Sequence, residues 1–312
     1  MSIALEKIHL DNSTNRPPLE SISYTDFAAS RWQTAQADRF SKPVRQKYRL
    51  FLLSLFGSAT HRASFAHVES FCMFIGYPRS GHTLIGSILD AHPNAIIADE
   101  LNALRYVHGG FGKSQLFYLL LRNSRRAAAA GRKRTGYVYQ IPGQWQGRYE
   151  RLRVIGDKMG HAAAPRLAAD PDLLSRLREF LKVDIKFVHV LRNPYDVIST
   201  MTLRHKLPLS ESIERFFWLC QSVDAIKRRV PADDICDLKH EDFIKSPKAR
   251  LESLCNFFLL KTDAAYLDGS AKIVFASPHK SRFEAPWNKP LIESVRIKMS
   301  KFRFLEEYSY DE

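Results

Sequence analysis

Cysteine is scarce in this sequence. The 312 residues include four cysteines, at positions 72, 220, 236 and 255, and no two of them have the C-x-x-C spacing of a zinc-ligand pair. Cysteines so few and so widely spaced exclude a disulfide framework and a cysteine-rich metal site. Cys72 lies in a short apolar run, and Cys220 and Cys255 lie in helical patterns. We therefore expect buried thiols in a reducing compartment.

Long apolar runs are lacking too. The most apolar stretch, residues 50–56 (LFLLSLF), is much shorter than the roughly 20 residues that a membrane-spanning helix needs. The N-terminus, MSIALEKIHLDNSTNRPP, lacks the basic region followed by an apolar core that marks a signal peptide. The sequence therefore predicts a cytoplasmic protein without a transmembrane segment.

Acidic residues are in the minority. The chain has 33 Asp and Glu against 47 Lys and Arg, which gives a net charge of +14. Such a surplus suits an anionic ligand, an acidic macromolecule or a membrane surface, although a generally basic surface explains it equally well. Six of the basic residues fall between positions 122 and 134. A run of this kind is typical of a solvated helix end and, less often, of a patch that steers anions.

Short apolar runs alternate with helical patterns along most of the chain. The continuous runs SFCMFIG, NAIIADE, RLRVIGD, DIKFVHVLRNP and DICDLKHEDF are typical of parallel strands buried on both faces. Because helical periodicity separates them, the sequence predicts an α/β fold, a parallel sheet flanked by helices on both faces. We expect this domain over residues 70–312, preceded by an N-terminal arm and helix over residues 1–69.

Residues 74–83, FIGYPRSGHT, join the first of these strands to a helix. Gly76 and Gly81 have the spacing of a Walker A loop, G-x-x-x-x-G-K-[ST], but His82 stands at the lysine position. Two glycines permit a tight turn whose backbone N–H groups converge on an anion, and the helix adds the positive end of its dipole. The segment therefore predicts a P-loop-type sheet with a phosphate site that lacks the ATP lysine.

Two motifs in this order resemble one known family. YPRSGHTLIGSIL resembles the 5′-phosphosulfate loop of sulfotransferases, P-[KR]-S-G-[TS]-T. VLRNPYDVISTM resembles the family's 3′-phosphate motif, R-[ND]-P-x-D-x-x-x-S, and LKHEDFIKSPKARLESLCNFFLL is a weaker third match. The resemblance covers about residues 70–305. It implies a sulfotransferase that uses 3′-phosphoadenosine 5′-phosphosulfate (PAPS), without a metal and without a nucleic-acid partner.

The resemblance also implies roles for single residues. Arg79 would reach the oxygen that bridges phosphate and sulfonate, and Arg192 would grip the 3′-phosphate. His82 replaces the family's usual Thr or Ser, and either contacts phosphate or fills a position at the helix N-terminus. For the adenosine end the candidate is HKSRFEAPWNK, although the family's R-K-G-x-x-G-D-W-K motif is missing. The implied PAPS-binding residues are Arg79, Ser80, Gly81, His82, Thr83, Arg192, Ser199, Ser281 and Arg282.

Transfer to a hydroxyl or amine calls for a general base. By resemblance to Golgi-type enzymes, Glu100 after the strand NAIIADE is the first choice, and we expect partial burial to raise its pKa. Asp99 should point to the other side of the strand. VIGDKMGHAAAP resembles a cytosolic-type segment with a catalytic histidine, which makes His161 the alternative base. Lys158 beside it could hold the sulfonate or the acceptor.

Two other functions fit part of the sequence. One is a metal-dependent P-loop kinase or NTPase with a degenerate Walker A loop, and the other is a nonenzymatic module that binds anionic partners. If the protein is a sulfotransferase, the sequence does not distinguish whether its acceptor is a small molecule, a glycan or a lipid.

Overall fold

The computed structural model describes residues 44–107, 109–134 and 136–311. The N-terminal arm predicted before residue 43 lies outside the described residues. From Val44 onward the described chain forms one compact unit.

Five strands form a fully parallel sheet in the order β2-β5-β1-β6-β7. Two further strands pair antiparallel as a small hairpin. The strands are β1 (Ser70–Ile75), β2 (Ala95–Ala98), β3 (Lys133–Arg134), β4 (Tyr137–Val138), β5 (Val154–Asp157), β6 (Asp184–Leu191) and β7 (Ile235–Lys239).

Helices connect the strands and cover the sheet. They are α1 (Val44–Thr60), α2 (Arg62–Phe65), α3 (His82–Leu89), α4 (Leu104–Val107), α5 (Lys113–Ala129), α6 (Gly160–Ala169), α7 (Leu173–Leu181), α8 (Pro194–His205), α9 (Leu209–Lys227), α10 (His240–Lys245), α11 (Pro247–Phe257), α12 (Ala264–Ala271) and α13 (Lys289–Met299). Short 3-10 turns lie at Ala232–Asp234, Ser281–Glu284 and Arg303–Leu305.

The five parallel strands form where the sequence predicted them. Residues of β1, β2 and β5 are buried on both faces of the sheet, whereas the edge strand β7 is mostly half-buried. All six residues of β1 and all four of β5 are buried. The two strands approach so closely that a Cβ on Gly156 would lie 2.1 Å from the carbonyl oxygen of Cys72. Separate apolar clusters fill the two faces of the sheet. The predicted fold class is confirmed.

Burial also accounts for the cysteines. Cys72, Cys220 and Cys255 are buried free thiols, as predicted, and Cys236 on β7 is half-buried. None of the helices in the described ranges is long and apolar enough to cross a membrane.

Candidate active site

The loop after β1 turns through three residues with positive φ. These are Gly76 (φ 126°), Arg79 (φ 72°) and Gly81 (φ 108°), and the two glycines adopt this left-handed region without a Cβ clash. Ser80 is buried and donates its hydroxyl to the carbonyl oxygen of Tyr77 at 3.1 Å. Helix α3 begins directly after the loop, so its first N–H groups and the loop amides face the same end of the sheet.

His82 does not take the place of the missing lysine with its side chain. The ring packs behind the loop, edge-on to Phe74 at 5.5 Å, and a Cβ on Gly160 would lie 2.7 Å from its Cε1. Burial, reinforced by the nearby charge of Lys158, holds the pKa of His82 well below its usual value. The ring is therefore neutral at pH 7, and it packs at the N-terminus of α3.

A lysine nevertheless reaches the loop, from the end of β5. The side chain of Lys158 is fully buried. Its Nζ donates to Thr83 Oγ1 at 3.1 Å, contacts Asp99 Oδ1 at 2.8 Å and contacts Glu100 Oε1 at 3.1 Å. One ammonium group thus joins the first turn of α3 to the carboxylates that follow β2.

Asp99 and Glu100 point to the same cluster, so the prediction that Asp99 faces away was wrong. Strand β2 ends at Ala98, and Glu100 has φ 61°, which breaks the alternation of side chains along a strand. Arg134 binds both carboxylates, with Nε 3.0 Å from Asp99 Oδ2 and Nη2 2.7 Å from Glu100 Oε2.

The expectation of a raised pKa for Glu100 was also wrong. Burial pushes the pKa of Glu100 upward, but the charges of Lys158 and then Arg134 outweigh it and hold the pKa below the usual value. The Glu100 side chain keeps 32% of its surface exposed, so an acceptor can approach it. His161, the alternative base, lies in the first turn of α6 and adds a smaller lowering to the pKa of Glu100.

Arg192 follows β6 and reaches back to the loop. Its Nη1 donates to the carbonyl oxygen of Arg79 at 3.0 Å, and its Nη2 donates to the carbonyl oxygen of His279. Burial lowers the pKa of Arg192. Ser199, in the second turn of α8, accepts a hydrogen bond from Trp287 Nε1 at 2.8 Å.

The segment around residue 280 packs on α8. Ser281 Oγ lies 3.0 Å from Thr200 Oγ1 and 2.9 Å from His279 Nδ1. Arg282 is buried, and its Nη1 lies 3.2 Å from Asp196 Oδ2, while its backbone N–H donates to Asp196 Oδ1 at 3.0 Å. Asp196 thus pairs with Arg282 in addition to standing in the first turn of α8.

Several buried nitrogens around the loop lack a hydrogen-bond partner within the described part of the chain. They are Nε of Arg79, Arg192 and Arg282, Nδ1 of His240, and Nε2 of His82 and His189. Buried polar nitrogens without a partner are rare in folded proteins, and three of these six belong to guanidinium groups. An anionic ligand with several oxygens, such as a nucleotide with phosphates at both ends, fits this set of donors.

Sequence reasoning missed His240 and Arg134. A Cβ on Gly81 would lie 2.5 Å from Cδ2 of His240, and burial, with Arg192 nearby, lowers the pKa of His240 to about 3. Arg134 belongs to the basic run 122–134, which the sequence left open between a solvated helix end and a patch that steers anions. Arg134 binds Asp99 and Glu100, and Arg132 in the same run is buried against Asp90, so these two residues form ion pairs within the protein. Neither position has a local pattern that marks it.

Comparisons with known proteins point to one family. The model of the sulfotransferase family matches residues 73–264, which is more than half of the chain and includes the loop, Lys158 and Arg192. No curated protein sequence matches the chain significantly.

Solved structures similar to the chain share little sequence with it. The sulfotransferase domain of the Synechococcus PCC 7002 olefin synthase is 19% identical with a TM-score of 0.43, over 74% of this chain and 88% of that one. A sulfotransferase domain from the curacin biosynthetic pathway is 14% identical with a TM-score of 0.48, over 75% and 98%. A mouse sulfotransferase complexed with PAP is 11% identical with a TM-score of 0.38, over 73% and 72%.

Proposed function

The chain belongs to the sulfotransferase family, and we propose that it takes the sulfonate from PAPS and passes it to a hydroxyl or amine of an acceptor. PAPS supplies a sulfonate that is already bonded to a good leaving group, the 5′-phosphate of PAP. The protein's own residues then have three tasks: to hold both phosphates, to stabilise the charge on the departing phosphate, and to take the acceptor's proton.

Two groups of residues would hold the nucleotide. The 5′-phosphate lies on the backbone N–H groups of Ser80, Gly81, His82 and Thr83, where the α3 dipole favours an anion. The 3′-phosphate lies with Arg192, Ser199, Ser281 and Arg282. In support of this pairing, the hydrogen bond from Arg192 to the carbonyl oxygen of Arg79 ties the two groups of residues together.

Arg79 and Lys158 would stabilise the leaving group. Arg79 is the basic side chain within the loop itself, and its Nε is buried without a partner among the described residues. Lys158 reaches Thr83 in the first turn of α3. Cations fixed beside an oxygen that gains charge lower the barrier most when they are already in place before reaction.

Glu100 would act as the general base. As the acceptor oxygen forms its bond to sulfur, the acceptor proton moves to the Glu100 carboxylate, and the sulfur–oxygen bond to the 5′-phosphate breaks with its electron pair on PAP. The lowered pKa of Glu100 keeps this carboxylate ionised at pH 7, the form that can accept a proton. His161 stands as the alternative base in the neighbouring helix.

One observation carries the proposal: Lys158 Nζ contacts both Thr83 on the phosphate loop and Glu100. It links the nucleotide side of the site to a carboxylate whose side chain is 32% exposed. A thermal-shift comparison tests the nucleotide, because a ligand that binds only the native state raises its melting temperature. PAP without metal should stabilise the protein. Stabilisation by ATP with Mg²⁺ instead would favour a kinase or NTPase, and no effect of either would favour a nonenzymatic module.

A further inference from the structure

Helix α1 buries small residues and exposes several large apolar ones, the opposite of a typical surface helix. Its small residues face the protein: Ser54 and Ser58 are buried, and a Cβ on Gly57 would lie 2.1 Å from the ring of Tyr118 on α5. Phe51 packs edge-on against Phe111 at 5.4 Å, but four other large apolar residues face outward, whereas a surface helix normally buries such residues. The exposed ones are Tyr48 (67%), Leu52 (53%), Leu55 (47%) and Phe56 (72%).

These four residues form one stripe along the helix. Their spacings of four, three and one residues bring them to the same face. The opposite face is held in place by polar contacts, since Gln115 Nε2 on α5 donates to Ser54 Oγ at 3.0 Å and to the carbonyl oxygen of Phe51 at 3.2 Å. Rotating the helix to bury the stripe would break these contacts.

Much of the positive charge of the chain falls in the two sequence segments that contain these helices, although Arg132 and Arg134, in the second segment, pair with Asp90, Asp99 and Glu100. Residues 44–68 and 101–149 contain 13 Lys and Arg and no Asp or Glu, against a net charge of +14 for the whole chain. Helix α1 lies in the first of these segments, and α5, which packs against it, lies in the second. The remainder of the chain is therefore close to neutral balance.

Exposed arginines lie on both helices and just after α1. Arg49 on α1 and Arg62 just after it are exposed, and so are Arg125 and Arg126 on α5. The two helices meet at this end, where Arg125 Nη1 lies 3.4 Å from His61 Nε2. Glu69, the first acidic residue after the segment 44–68, forms an ion pair with Arg153 at 2.6 Å.

We propose that this surface, formed by the apolar stripe of α1 and the exposed arginines at positions 49, 62, 125 and 126, docks on an anionic lipid bilayer. An apolar stripe bordered by cations is the composition of helices that lie in the plane of a membrane, with apolar side chains in the headgroup boundary and cations on lipid phosphates. A second copy of the chain is a poorer occupant, because it would bring two uncompensated positive surfaces together. The proposal does not depend on the sulfotransferase reaction.

Vesicle flotation tests the proposal. The full chain should float with vesicles of phosphatidylcholine and phosphatidylserine. It should not float with vesicles of phosphatidylcholine alone. It should also not float with the mixed vesicles in about 0.5 M salt, since salt screens the cations. The double variant Leu52→Ser/Phe56→Ser should bind at least about tenfold more weakly. Arg125→Gln/Arg126→Gln should lose most of its preference for the anionic vesicles.

Matched variants elsewhere control for hydrophobicity and charge. Ile297→Ser changes an exposed apolar residue (53% exposed) on α13, and Lys245→Gln/Lys301→Gln removes two exposed cations; both should bind vesicles like the parent. All variants should melt like the parent, because only exposed side chains change. Failure of the parent to float, equal binding by the stripe and control variants, or a stripe variant that only turns a dimer into a monomer would each overturn the proposal.

Discussion

Lys158 contacts the Glu100 carboxylate and lowers its pKa. A buried cation is costly unless it is paired and hydrogen-bonded, and Lys158 meets this demand with Thr83, Asp99 and Glu100 at 2.8–3.1 Å. The same contacts hold the Glu100 carboxylate beside the phosphate loop. They also lower its pKa against the opposing effect of burial.

Replacing Lys158 by Met should move the pH dependence of transfer. The substitution keeps the side-chain stem and removes the charge that lowers the pKa of Glu100 most, so the pKa should rise. A base with a higher pKa is protonated over more of the acidic range. The acidic limb of the plot of kcat/KM against pH should therefore shift to higher pH, and turnover at pH 7 should fall by about 100-fold.

A second lysine gives the matched control. Lys186 forms an ion pair with Asp234 at 2.8 Å near the start of β6, the end of that strand away from the loop. Lys186→Met should leave the pH profile where it is. A Lys158→Met enzyme with an unshifted acidic limb would show that Lys158 does not govern the charge of the base.

At the scale of elements, the turn between β6 and α8 connects three segments. Arg192 donates to the carbonyl oxygens of Arg79 and His279, which belong to the phosphate loop and to the segment before residue 280. The backbone N–H of Asn193 donates to Glu241 Oε1 at 2.9 Å. The turn thereby fixes the proposed 3′-phosphate site at a set distance from the loop.

Arg192→Ala should weaken PAP binding by about 10- to 100-fold, since a charged hydrogen bond to phosphate contributes ~1.5–3 kcal/mol. Isothermal titration with PAP gives the affinity directly. Arg228→Ala, which removes an exposed arginine paired with Asp224 at 2.6 Å, should bind PAP like the parent. An Arg192→Ala protein that is folded and keeps the parent's affinity would refute the assignment.

The hairpin that carries Arg134 is anchored by a buried ion pair. Arg132 contacts Asp90, which also accepts from Ser124 Oγ at 2.7 Å and from the backbone N–H of Gly147 at 2.9 Å. Arg132→Met leaves a buried carboxylate without its cation, so the free energy of unfolding should fall by about 3–5 kcal/mol. Urea unfolding measures this change.

The control for this stability prediction is an exposed pair. Arg176 contacts Asp170 with both side chains largely in solvent, so Arg176→Met should cost less than about 1 kcal/mol. Adding Asp90→Asn to Arg132→Met should recover part of the loss. Equal losses from Arg132→Met and Arg176→Met would mean that the buried pair does not anchor the hairpin.

Across the whole molecule, the features that depend on short stretches of sequence could be predicted from the sequence. The five parallel strands follow from continuous apolar runs, and the phosphate loop follows from the spacing of Gly76 and Gly81. The surroundings of Glu100 were not predictable in this way. Lys158 and Arg134 come from distant parts of the chain, and the positive φ of Glu100 turns its side chain toward Asp99. The exposed apolar stripe of α1 was likewise not predictable, because it depends on which face of the helix Gln115 of α5 hydrogen-bonds to.

The central claim is that Glu100 takes the acceptor's proton while the nucleotide lies on the phosphate loop. Glu100→Gln keeps the size of the side chain and removes its basicity. With labelled PAPS and a cell extract as the source of acceptors, this variant should lose transfer by at least about 100-fold. Titration should show that it still binds PAP like the parent, and His161→Ala should be milder. Near-normal transfer by Glu100→Gln together with loss of transfer in His161→Ala would contradict the account and make His161 the base.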